Sequence, residues 1–199
     1  MDFFDGVPLE ELCEDGVPQS LRDRLGFLLY RLMFRELFEF RFLQSDPNFA
    51  NYLYLPATEQ LGLLDFGGSR DIPAELSAQY RHLFAAGARN DRGAVRQTLG
   101  DIGFTQRNGE SARADALAEL FLLGCEPFRH RGAYDFGASD MPARARTIGL
   151  ELAAKGWLRP PPPPTVFLHR KLAGMFLLCA RLRARVDVRT LLSAVECRP

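Results

Sequence analysis

An aspartate five residues ahead of an asparagine, in Gln44-Ser45-Asp46-Pro47-Asn48-Phe49-Ala50-Asn51, is followed 14 residues later by a second aspartate in Leu63-Leu64-Asp65-Phe66-Gly67. That order and separation suit phosphoryl transfer from ATP. In such chemistry the first aspartate orients the acceptor or takes its proton, while the asparagine and the second aspartate hold Mg²⁺ against the phosphates. The protein then contributes mainly positioning and electrostatics, and a few oxygen-bearing side chains on two rigid loops are a large part of the catalyst. Asp46 is the candidate catalytic residue; Asn51 and Asp65 are the candidate metal ligands. A lone Asp-Phe-Gly is a weak signal, and the tripeptide recurs at Asp135-Phe136-Gly137. The ordered pair, with an apolar segment between, is a specific one. A bland reading of the same residues is an Asx turn and two loop acids in a structural hairpin.

Several elements must position these side chains. From Ser20, with Asp23 three residues on as a variant capping box, the spacing predicts a long helix over 20–42. Its apolar face would be Leu21, Leu25, Leu28, Leu29, Leu32, Leu37 and Phe40, with Arg35 and Glu39 paired on the polar side. Phe34, Phe38, Phe40 and Phe42 make the helix apolar on most sides. Neighbouring helices would cover it, or it would offer a lipid- or quinone-contacting surface. After the Asp46 loop come a strand at Tyr52-Leu53-Tyr54, a turn at Pro56-Ala57-Thr58 and a strand over 61–64. This hairpin would bring Asn51 and Asp65 to neighbouring strand ends, as two ligands of one ion require.

Beyond Pro73 everything reads helical, over 74–88, 92–102, 111–125, 142–155, 166–186 and 188–196. Asn90-Asp91, Asn108-Gly109 and Gly132 supply breaks, and Asp91, Ser139 or Asp140, and Asp187 supply caps. The five prolines 160–164 read as a stiff polyproline II connector between packed helices, with an SH3-type ligand as the other reading. His169, beside Arg170 and Lys171, reads as a buried clasp to an acid such as Glu36 or Glu39. His82 and His130 read as surface residues.

Composition narrows the class. A chain of 199 residues that is 47% hydrophobic suits one domain with a real core. Equal numbers of acidic and basic residues, 25 each, argue against a nucleic-acid surface. Basic charge is nearly all arginine; the only lysines are Lys155 and Lys171. Cys13, Cys125, Cys179 and Cys197 are far apart and lack metal-site spacing, so they read as reduced thiols. No apolar run reaches the length of a transmembrane helix, and the acidic start lacks a signal-peptide pattern.

Six segments carry a family resemblance: Asp5-Gly6-Val7-Pro8-Leu9, Arg35-Glu36-Leu37-Phe38-Glu39-Phe40, Gln44 to Asn48 with Asn51, Leu63 to Arg70, Glu126-Pro127-Phe128, and Leu168-His169-Arg170-Lys171. Through them almost the whole chain resembles the UbiB family of atypical protein-kinase-like proteins, the aarF-domain or ABC-one kinases, and within it the coenzyme Q type. The resemblance implies a mainly α fold, the helical C-terminal lobe of the protein-kinase-like fold with one short β-hairpin at the catalytic cleft. It implies one unit over 1–199, with a hinge remnant at 1–8, a catalytic and metal-binding core at 20–73 and a helical region at 74–199.

The same resemblance assigns Asp46 as the catalytic-loop aspartate and Asn51 and Asp65 as the metal pair, and it places Asp2, Phe3 and Phe4 near the hinge that lines the adenine site. The implied activity is that of an ATP- and Mg²⁺-dependent atypical kinase or ATPase supporting ubiquinone biosynthesis. The implied location is the cytoplasm or the matrix side of the inner mitochondrial membrane, peripherally attached. Partners would be ATP, and quinone-pathway enzymes or isoprenoid lipids. The family's nucleotide-binding N-lobe, with its alanine-rich loop, strand lysine and Lys-x-Gly-Gln extension, has no counterpart among these residues, since both lysines follow Asp65. These 199 residues alone are therefore expected to bind ATP weakly or not at all. The rival readings are a non-catalytic scaffold or lipid-binding helper, and an inactive fragment.

Overall fold

The computed structural model describes residues 5–105 and 111–196. The first half runs β1 (Val7–Pro8), α1 (Gln19–Arg35), β2 (Phe42–Gln44), β3 (Tyr52–Leu55), β4 (Gln60–Leu63) and β5 (Ser69–Asp71). Helix α1 buries Leu25, Leu29, Met33 and Phe34, the spacing of one helical face. The Ser20–Asp23 capping box does not form; Pro18 precedes the first turn. Asp23 is taken by other partners, accepting from the Gln19 side chain and from the Arg185 backbone N–H, both at 2.7 Å.

Helix α1 also stops short of the predicted end. After Arg35 the coil widens into a π turn over Glu36–Phe40, and Arg41 adopts a left-handed conformation at φ 51°. A π turn holds an extra residue and so rotates the next side chains about the helix axis. Glu36, Leu37 and Phe38 are consequently all buried. Phe40, which simple spacing assigns to the apolar face, is 51% exposed beneath the Arg35 guanidinium. Phe42 leaves the helix altogether and opens β2.

The hairpin lies where its sequence places it. Strands β3 and β4 are antiparallel, with Tyr52 opposite Leu63 and Leu55 opposite Gln60, and β1 adds a third strand through Val7 and Tyr54. A separate pair, β2 with β5, sets Gln44 opposite Ser69. Strands this short carry no readable alternation, so only the structure reveals them.

The second half is α2 (Ala74–Ala88), α3 (Arg92–Ile102), α4 (Ser111–Gly124), α5 (Glu126–Arg129), β6 (Tyr134–Asp135), α6 (Met141–Ala154), α7 (Val166–Arg181), β7 (Arg185–Val186) and α8 (Val188–Glu196). Asp91 caps α3 by accepting the Ala94 N–H at 3.0 Å, and Asp187 does the same for α8 through Thr190. Before α6, Ser139 Oγ accepts the Met141 N–H at 3.1 Å. The helix predicted over 166–186 ends at Arg181: Arg183 turns left-handed, and β7 then pairs with β6. The last prolines do not stay extended, because Pro163–Thr165 form a 3₁₀ turn leading into α7, where proline's fixed φ is no obstacle.

An aromatic core joins the halves. Phe34 of α1 lies 6.1 Å from Phe38 and 6.0 Å from Phe128, and Phe84 of α2 lies 5.0 Å from Phe128. Helix α7 crosses α1 and passes directly over the Asp46 loop. At their crossing a Cβ on Gly174 would lie 2.0 Å from Pro47 Cγ, so only glycine lets the helix come this close.

Candidate functional site

The loop from Asp46 to Asn51 is held by its own polar atoms. The Asn51 Nδ2 donates to the Asp46 carboxylate and to the Asp46 carbonyl, both at 3.1 Å. That leaves Asn51 Oδ1 as the oxygen the amide can offer a cation. Asn48 closes the intervening 3₁₀ turn by accepting the Ala50 N–H at 3.2 Å. Asx chemistry of this kind fixes a tight loop without regular structure, so the bland reading describes how the loop is built and leaves its role open.

The second loop is tied to the first through main chain. Gln44 is buried, and its Nε2 donates to the Asp46 carbonyl at 2.9 Å and to the Asp65 carbonyl at 3.4 Å. Ser45 reinforces the link, its hydroxyl donating to Gly68 O at 2.6 Å. Asn51 O accepts from Leu64 N at 3.1 Å, which puts Asn51 and Asp65 at adjoining strand ends. One Asp65 oxygen accepts the Gly67 N–H at 2.7 Å; the side chain is otherwise exposed.

Two features that the motif spacing does not show complete the site. Arg170 Nη2 sits 2.6 Å from Asp46 Oδ1, so the candidate catalytic carboxylate is shared between Arg170 and Asn51. Both partners of that ion pair are partly in solvent, and exposed pairs add little stability. Behind the loop, Lys171 is wholly buried and places Nζ 2.8 Å from Glu36 Oε2, 3.2 Å from Tyr52 Oη and 3.4 Å from Gln44 Oε1. Burial pushes the Glu36 carboxyl above its ordinary range and outweighs the downward pull of Lys171. Burial likewise lowers the Lys171 ammonium, with Glu36 opposing. The clasp expected between His169 and an acid is therefore corrected. Lys171 takes Glu36, Glu39 pairs with Arg35 at 2.8 Å, and His169 Nε2 meets the Tyr80 hydroxyl at 2.6 Å. The available signal was Lys171 itself, one of two lysines in an arginine-rich chain, set within an apolar helical run.

The donor set fits Mg²⁺. A hard cation takes oxygen ligands, typically one or two carboxylates completed by phosphates and water. Asn51 Oδ1 and the Asp65 carboxylate supply that kind of donor. Among the described residues no group of three or more His, Cys, Asp or Glu side chains forms an all-protein metal cage. Asp2, Phe3 and Phe4, expected near the adenine site, lie outside the described residues, as does Cys197.

Comparison with known proteins agrees with this architecture. Residues 1–99 match the model of the ABC1 atypical kinase-like domain. The chain is 42% identical to rat "Atypical kinase COQ8B, mitochondrial" over 191 residues, which is 96% of this chain and 36% of the relative. It is 34% identical to "Atypical kinase COQ8, mitochondrial" of Schizosaccharomyces pombe, covering 98% of this chain and 32% of that one. The chain thus spans about a third of the length of the curated relatives it matches. Among solved structures, the erythromycin complex of Rv3197 from Mycobacterium tuberculosis superposes with a TM-score of 0.70 at 19% identity, over 96% of this chain and 47% of that one. That likeness is one of fold, and it agrees with the mainly α, kinase-like C-lobe. With these relatives aligning over 96% and 98% of its length, the chain belongs to the ABC1 atypical kinase-like family, of the COQ8 type.

Proposed function

We propose that these residues are the catalytic and metal-holding lobe of an ATP- and Mg²⁺-dependent atypical kinase or ATPase that supports coenzyme Q biosynthesis. The observation that carries the reading is the buried Gln44 amide, which hydrogen-bonds the carbonyls of both Asp46 and Asp65 and so sets the two loops in one register. Asn51 Oδ1 and Asp65 would hold Mg²⁺, which when bound neutralises phosphate charge. Asp46 receives or orients the acceptor's proton at the carboxylate, and Asn51 and Arg170 fix the direction of that carboxylate. Gln44, anchored by Lys171, keeps the Asp46 loop from drifting relative to Asp65. The hinge residues Asp2, Phe3 and Phe4 would face the adenine.

The relatives' names place them in mitochondria, and we place this chain there too, peripherally on the inner membrane and in contact with quinone-pathway enzymes or isoprenoid lipids. No helix among the described residues is long and apolar enough to cross a membrane.

The test is a chimera in which these 199 residues replace the corresponding segment of rat COQ8B. The chimera is expected to hydrolyse ATP, and Asp65→Asn is expected to abolish turnover, because an amide cannot supply the charge the metal needs. ATPase activity unchanged by Asp65→Asn would remove the metal role. Restored coenzyme Q synthesis by a chimera that never turns over ATP would favour the non-catalytic helper.

A further inference from the structure

Between α1, α2, α4, α6 and α7 lies a cavity of about 520 Å³, apart from the Asp46 loop and unused by the chemistry above. Among the described residues its wall contains no Asp, Glu, Lys or Arg, and five phenylalanine rings contribute to it, among them Phe84, Phe104 and Phe121. His169 is the conspicuous polar group. Burial lowers its pKa to about 4, so the ring is neutral at physiological pH. It stacks on Phe104 at 5.3 Å with the planes 11° apart. Tyr80 engages His169 Nε2, which leaves Nδ1 as the ring atom for a ligand.

We propose that this cavity binds an uncharged, ring-bearing apolar small molecule with one hydrogen-bonding group. The volume lies in the range of small-molecule sites, and an apolar wall with a few placed polar groups, here His169 and Tyr30, is their usual chemistry. A charged ligand would be desolvated without a counter-charge. An extended peptide would bury a row of N–H and C=O groups against a wall with too few partners for them. A ring, by contrast, can stack or meet edge-to-face with the phenylalanines. The site also has an output. Helix α7 presents His169, Leu172 and Phe176 to the cavity, while the adjoining Arg170 and Lys171 reach Asp46 and Glu36. An occupant that shifts α7 shifts the clamp on the Asp46 loop.

The test needs neither nucleotide nor metal, so its failure would leave the phosphoryl-transfer reading untouched. N-phenyl-1-naphthylamine, a neutral probe that fluoresces in apolar surroundings, is titrated into the 199-residue chain. Saturable binding of one probe per chain is expected, and 1-anilinonaphthalene-8-sulfonate should bind about tenfold more weakly because of its charge. Ala173→Phe and Gly124→Leu fill the cavity from two sides; a Cβ on Gly124 meets nothing within 4 Å, so that side chain starts in open space. Each should weaken the probe by about tenfold or more, while Leu150→Phe, on an exposed face outside the cavity, should not. Non-saturable binding, equal binding by the sulfonate, or undiminished binding by a folded Gly124→Leu chain would each overturn the proposal.

Discussion

The tripeptide Asp-Phe-Gly occurs twice and is used in opposite ways. At Asp135-Phe136-Gly137 the phenylalanine is 1% exposed, 4.9 Å from Tyr134 and 5.2 Å from Phe176. Asp135 there pairs with Arg185 at 3.1 Å, across the β6–β7 pair. At Asp65-Phe66-Gly67 the phenylalanine is 55% exposed, and the aspartate's hydrogen bond is to Gly67, two residues on. One copy is a rivet in the core, and the other holds its acid out in solvent on a loop seated from behind. Identical residues are thus buried or held out in solvent by the elements that bracket them. The solvent-facing copy follows a strand whose partner begins at Tyr52, next to Asn51, and the buried one is closed by the last strand, β7.

The most severe way to break this comparison is to truncate both rings. Phe136→Ala is expected to destabilise the chain by about 3–5 kcal/mol, the usual cost of emptying a large core site. Phe66→Ala should stay within about 0.5 kcal/mol, as exposed substitutions do. Urea unfolding of the two variants checks this, and similar midpoints would mean that Phe66 is packed as deeply as its counterpart.

Next in size is Lys171→Met, which leaves the buried Glu36 without its cation and should cost about 3–5 kcal/mol at the upper limit of a broken buried pair, less where Glu36 takes up a proton. Amide hydrogen exchange sharpens the point. Protection should fall first at Gln44 to Asp46 and Leu64 to Ser69, which Lys171 seats through Gln44, and hold longer at Tyr134 to Gly137. Uniform loss across both copies would show that the network does not single out the Asp65 loop.

The smallest effect concerns acid. His169 has a folded pKa of about 4 against an ordinary 6.5, so between these values the unfolded chain binds more protons. Stability should therefore fall as the pH drops through that window, by roughly 3 kcal/mol at most from this group. His169→Gln should flatten that part of the profile while leaving Phe136 in the core. An unchanged slope would show that His169 titrates as an exposed imidazole.

Much of the fold is legible in the sequence where the signal is local. The helices over 74–88, 92–102 and 188–196 have the bounds their breaks and caps predict, and the strands of the hairpin from Tyr52 flank the turn at Pro56 to Thr58, the second of them one residue earlier than its expected 61–64. Local rules fail where distant groups decide. The cap at Asp23 is overridden by Arg185, and the π turn at Glu36 is accompanied by a carboxylate paired with a lysine from another helix. Strands of two or three residues, such as β6 and β7, have too few side chains to show alternation. At the candidate site the spacing of Asp46, Asn51 and Asp65 points to the loops. The spacing says nothing about Arg170, Lys171 or Gln44, because a clamp assembled from opposite ends of the chain has no sequence period.

That separation has a consequence for how the protein is made. Arg170 reaches Asp46 across 124 residues, and Lys171 reaches Gln44 across 127. A ribosome adding ~5–20 residues per second needs roughly 6–25 s to cover that interval. Throughout it the nascent chain carries Glu36 without its ammonium and Pro47 without the glycine groove of α7. The Asp46 and Asp65 loops emerge before α7 and are seated only when it arrives, which makes the window between the one in which a chaperone has most to protect.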